Sequence, residues 1–95
     1  MEKREATRKK FSELVSFDLL GGKPGKLKNI SYQGYGVDIS QGGLGMTTET
    51  PLQKGKVIRM ALPVLGGQAT IPVFSIIKWS KPLESQFRVG VQFLS

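Results

Sequence analysis

The alternation of apolar and polar positions dominates this chain and predicts strands along most of its length. In FSELVSFDLL, Val15, Phe17 and Leu19 share one side while Ser16 and Asp18 share the other. That period of two marks a half-buried strand. GGKPGK then reads as a turn by composition. In LKNISYQGYGVDIS, Ile30 and Tyr32 alternate with polar neighbours, and Val37 and Ile39 resume the pattern further on. Gly34 and Gly36 between them predict a bend or bulge in one long strand. QGG turns the chain into LGMTTE, and the PLQKGK connection leads to VIRMALPV and ATIPVFSIIKW, two strands joined through LGGQ. The last strand, FRVGVQFL, places Val89, Val91 and Phe93 on one face.

Six short strands with no long helix must hide both their apolar faces and their edges. A small six-stranded antiparallel β-barrel does both. On this reading Phe17, Phe74 and Phe93 face the core, and most of Tyr32, Tyr35 and Trp79 are core residues as well. No repeat, low-complexity segment or linker divides the chain, so residues 1–95 form a single domain. No apolar run approaches a membrane span, and no signal-peptide core follows the charged start, so a cytoplasmic protein is expected.

The start of the chain breaks the pattern. MEKREATRKK carries Lys3, Arg4, Arg8, Lys9 and Lys10 and has no apolar face to bury. An isolated helix this short is marginal, so residues 1–10 read as a mobile or loosely docked arm ahead of a barrel at 11–95. Fourteen basic against seven acidic residues give a formal charge of +7, which favours an anionic partner.

What is missing narrows the chemistry. Without cysteine there are no disulfides, no thiol chemistry and no thiolate metal site. Without histidine the chain lacks the usual general base near neutral pH and the commonest metal ligand. The carboxylates form no recognisable catalytic pairing. The chain reads as a binding protein rather than an enzyme, with no catalytic residues, metal or cofactor.

Two sets of residues suit a ligand. In DISQGGLG, strand parity turns Val37 and Ile39 toward the core and leaves Asp38 and Ser40 together on the outer surface beside a glycine turn. In the arm, Arg4 and Arg8 share a side whether the segment is helical or extended, with Cα atoms roughly 6 Å or 13 Å apart. Guanidinium groups grip phosphate in a forked geometry and read the O6 and N7 edge of guanine. A carboxylate accepts hydrogen bonds from the N–H groups on guanine's other edge. The combination suits a guanine nucleotide.

These residues carry a resemblance. REATR (Arg4 to Arg8) matches an RxxxR element, DISQGG (Asp38 to Gly43) matches a [D/N]xSxxG element, and RVGVQF (Arg88 to Phe93) closes the chain. In this order on an all-β chain, they resemble the PilZ domain family over nearly the whole length. The resemblance implies a six-stranded antiparallel barrel acting as a bacterial receptor for cyclic di-GMP. It implies that Arg4 and Arg8 clamp the ligand and that Asp38 and Ser40 contact guanine from the barrel. Gly43 would allow the turn, since glycine tolerates positive φ. Lys3 and Lys9 are additional candidates; Lys3 precedes RxxxR, where family members vary with the number of stacked ligand molecules. Members often continue into a C-terminal helix, whereas none is expected here after Phe93. The implied partners are cyclic di-GMP and a downstream protein of unknown identity. The alternatives are a basic barrel binding single-stranded nucleic acid, which needs exposed aromatics, and a PilZ-like adaptor that binds no nucleotide. The core assignment of the aromatics argues against the first, and retention of both motifs against the second.

Overall fold

All six expected strands form. The computed structural model describes residues 8–19 and 32–94; Lys3, Arg4, the GGKPGK turn and Ile30 lie outside the described residues. The strands are β1 (Lys9–Lys10), β2 (Leu14–Leu19), β3 (Tyr32–Ile39), β4 (Gly43–Thr48), β5 (Val57–Val64), β6 (Ala69–Leu83) and β7 (Gln86–Phe93). They run antiparallel in the order β3-β2-β5-β6-β7-β4, and β4 pairs back onto β3 to close a six-stranded barrel. No helix occurs among the described residues. None is therefore long and apolar enough to cross a membrane.

The extra strand, β1, lies at the end of the expected arm and pairs with the barrel. Lys9 pairs with Ile39 and Lys10 with Asp38. Phe11 N–H donates to the Val37 carbonyl at 3.0 Å, and Gly36 N–H donates to the Glu13 carbonyl at 2.8 Å. Residues 9–19 thus follow β3 as one interrupted strand. The last residues of the arm are docked on the barrel wall.

Inside, the alternation works largely as expected. Val15 and Phe17 of β2 meet Leu44 and Met46 of β4, Ile58 and Met60 of β5, Ile77 of β6, and Val89 and Val91 of β7. Each such side chain contributes about 1.5–3 kcal/mol on leaving water. Tyr32 stacks on Phe17 with ring centroids 5.7 Å apart, as a core role requires. Four assignments fail. Leu19, at the end of β2, is exposed, and so are Tyr35, Phe74 and Trp79.

Phe74 fails for a reason in the register. Its strand has apolar residues at both parities, so periodicity alone does not choose a face. The pairing with β5 does: Ser75 stands opposite Ile58 and Val73 opposite Met60, both inward. Phe74 is thereby turned out at 46% exposure, and Ser75 is turned in at 0%. The Ser75 hydroxyl is buried without a hydrogen-bond partner. Replacing it should help, since burying an unbonded hydroxyl costs about 1–3 kcal/mol. We expect Ser75→Ala to raise the thermal unfolding midpoint by several degrees; a lower midpoint would show that the hydroxyl is bonded in the folded protein.

One irregularity positions everything that follows. Gly36 pairs with Met46, but the next pair is Asp38 with Gly45, so Val37 is an extra residue in β3. The sequence places this bulge correctly beside Gly36. Before it, Gly34 and Gly36 are buried; after it, Ile39 packs on the core and Asp38 faces outward. A bulge reverses the parity of every residue beyond it. Gly36 also leaves room for the Phe11 ring, whose atoms a Cβ at that position would strike. Phe11 therefore pins the arm three residues after Arg8.

Candidate functional site

Asp38 is the hub of the outer wall. It stands opposite Gly45, where a Cβ would lie 2.9 Å from Asp38 Oδ1. The glycine makes room for the carboxylate to lean across β4. Arg8 reaches it from the arm, donating from Nε at 3.1 Å and from Nη2 at 2.6 Å to Oδ1. Arg88 reaches it from β7, donating from Nη2 to Oδ2 at 3.3 Å. Two guanidinium groups from opposite ends of the sequence thus share one carboxylate. Exposed ion pairs of this kind add at most about 1 kcal/mol to stability, so their value is positional.

The local charge is positive. Two arginines outweigh one carboxylate, and Lys10 lies directly across from Asp38. Each guanidinium offers five N–H donors, so both keep donors beyond those bonded to Asp38. The Arg88 Nε–H is buried with no partner. Such a surface can hold an anion with several acceptor oxygens by forked, charge-assisted hydrogen bonds.

The same row continues across the sheet. Asp38 pairs with Gly45, Gly45 with Gly90, and Gly90 with Trp79. At strand spacings near 4.8 Å the row spans roughly 14 Å. The Trp79 indole lies on Gly90, where a Cβ would collide with it. Trp79 is 41% exposed, which corrects its assignment to the core. A carboxylate at one end and an indole at the other therefore cover two buried glycines. Planar groups can approach a backbone closely only at such positions.

The expected site residues divide as follows. Arg8 and Asp38 are brought together. Arg4 and Lys3 lie outside the described residues. Ser40 follows the last residue of β3, and its N–H donates to the Gly43 carbonyl at 2.9 Å. Lys9 sits opposite Ile39; the register sets Lys10 opposite Asp38 instead. Gly43 is corrected in its role. It is not among the residues with positive φ, which include Gly55, Gly66 and Gly67; it belongs to β4, where a Cβ would strike the Val91 carbonyl. Sequence reasoning missed Arg88 and Trp79 as site residues. Parity in FRVGVQFL does turn Arg88 outward, but only the β4–β7 pairing shows that it faces Asp38. Among the described residues no cluster of metal-ligating side chains is present.

Gly45 gives a local test. A methyl group there would displace the Asp38 carboxylate while leaving the inward-facing core untouched. Gly45→Ala should uncouple Arg8 from Asp38, read as faster amide exchange in residues 8–11 with an unfolding midpoint within a few degrees of the parent. Unchanged exchange would show that Asp38 does not hold the arm.

Comparison with known proteins bears on this site. The PilZ domain family profile matches residues 2–95. No curated protein matches. Among solved structures, the Bacillus subtilis inhibitor of motility MotI/DgrA superposes with a TM-score of 0.71 at 14% identity, over 100% of this chain and 44% of that one. The PilZ domain of Escherichia coli YcgR with c-di-GMP gives 0.65 at 18% identity, over 98% of this chain and 79% of that one. The K. pneumonia MrkH–c-di-GMP complex gives 0.66 at 19%, over 99% of this chain and 44% of that one. The chain thus spans less than half the length of MotI/DgrA and MrkH. At these identities the likeness is one of fold.

Proposed function

The chain belongs to the PilZ domain family, and from that premise we propose that it is a receptor for cyclic di-GMP. The observation that carries this reading is the convergence of Arg8 and Arg88 on Asp38 across the outer wall of the barrel. That geometry joins the end of the RxxxR element to the start of the DxSxxG element. The YcgR and MrkH structures, which contain c-di-GMP, share this fold.

The division of labour follows from chemistry. Arg4 and Arg8 grip phosphate oxygens and the O6 and N7 edge of guanine. Asp38 orients Arg8 and Arg88 and accepts from guanine N–H groups. Ser40 supplies a hydroxyl at the turn, and Arg88 adds a cation from the barrel itself. The Gly45–Gly90 row seats the Asp38 carboxylate and the Trp79 indole, and a base can lie between these two groups. The protein acts as a switch and catalyses no reaction. When phosphate competes with Asp38 for Arg8, the docking of β1 on β3 changes, and with it the surface offered to a downstream protein.

Isothermal titration with cyclic di-GMP tests the reading. Saturable binding is expected, with Asp38→Ala or Ser40→Ala weakening it less than loss of an arginine, because the charged grip on phosphate survives. No heat and no saturation at high micromolar ligand would sink it.

A further inference from the structure

The face of β6 beyond its irregularity carries a second feature, which shares Trp79 with the dinucleotide row and otherwise lies outside it. The β6–β7 pairing shifts register between Ile77 and Trp79, so Lys78 is an extra residue that changes the direction of the strand. Beside it lies a groove of about 390 Å³ between this strand and the segment following β4. Its lining includes Lys54, Lys78 and Lys81 together with Trp79, Pro82 and Phe87. No carboxylate is among the lining residues. Three cations thus rim walls made of an indole, a proline ring and a phenyl ring.

We propose that this groove docks an acidic peptide segment of a partner protein, one carrying a bulky apolar side chain between carboxylates. The charge is complementary on every side, and the apolar walls give such a side chain a place to leave water. Exposed tryptophan in a groove is the residue type most enriched among interface hot spots. Single-stranded nucleic acid is the competing occupant, since it too favours lysine beside an aromatic. The geometry favours the peptide. Lys81 Nζ sits 5.4 Å from the Trp79 ring centroid and covers the face on which a base would stack. The groove also presents this single exposed aromatic and no continuing row of them, whereas strand-tracking proteins stack successive bases. The inference goes beyond the dinucleotide reading and does not depend on it.

Trp79 is the only tryptophan in the chain, so its emission reports on the groove directly. The probe is a synthetic dodecapeptide of paired glutamates separated by single leucines. A saturable change in Trp79 fluorescence is expected. Lys78→Glu combined with Lys81→Glu should raise the peptide Kd about tenfold or more, and replacing the peptide leucines by serine should do the same. Lys56→Glu, a charge reversal outside the groove, should leave Kd within about twofold. All three lysines are exposed, and unchanged unfolding midpoints would show that the variants fold. Equal weakening by Lys56→Glu, or no saturation, would overturn the proposal in favour of diffuse attraction or no site. An oligothymidylate that binds more tightly and displaces the peptide would overturn it in favour of nucleic acid.

Discussion

Replacing Arg8 with alanine is expected to weaken cyclic di-GMP binding about a hundredfold while leaving the barrel folded. Hydrogen bonds to charged groups contribute about 1.5–3 kcal/mol each. Losing a two-pronged grip therefore costs about 3 kcal/mol, or about two decades in Kd. Stability should move by less than about 1 kcal/mol, because the Arg8 side chain is half exposed and its pair with Asp38 lies at the surface. Arg8→Lys separates charge from geometry. It keeps the cation and loses the planar fork, so an intermediate affinity is expected. Titration calorimetry gives the affinities and thermal unfolding checks the fold. Unchanged binding in Arg8→Ala would remove the arm from the site. A matching fall in unfolding midpoint would make Arg8 a structural residue instead.

Gly43→Ala should act in the opposite way, on folding first. A Cβ at this position would strike the Val91 carbonyl of the adjacent strand, with Gln92 Cα 3.4 Å away. Both are backbone atoms in the closed barrel, so neither can swing aside as a side-chain tip would. Overpacking of this kind costs about 1–3 kcal/mol. For a domain of this size that lowers the unfolding midpoint by roughly 5–20 °C. Asparagine supplies the decisive comparison. Were positive φ the reason for glycine, Gly43→Asn would be the milder change, because asparagine tolerates that conformation. With packing as the reason, asparagine is at least as damaging as alanine. Urea or thermal unfolding of the two variants distinguishes these cases.

The fold was largely legible because a closed antiparallel barrel writes itself in a period of two. Val15, Phe17, Val89 and Val91 are apolar at alternate positions and are buried. The reading stumbled where the pattern was ambiguous. PVFSII offers apolar residues to both faces, and only the pairing of Ser75 with Ile58 turned Phe74 outward. At Trp79, the register shift at Lys78 and the bare Gly90 beside it give the indole a shelf outside the core.

For the candidate site, the sequence determined which residues could carry the chemistry. Arg8 and Asp38 stood in recognisable spacings, Gly34 and Gly36 announced a bulge, and strand parity turned Asp38 to the surface. Composition had already removed thiol and imidazole chemistry. Only the tertiary structure decided which groups meet. Arg88 lies fifty residues from Asp38, and no local pattern links them; the order β3-β4-β7 does, by stacking three strands side by side. Lys10, and not the candidate Lys9, stands opposite Asp38 for the same reason, since a one-residue change in register exchanges faces. Parity along a strand is a local property that a sequence states. Adjacency across strands depends on pairing and register, which the chain settles only when the barrel closes.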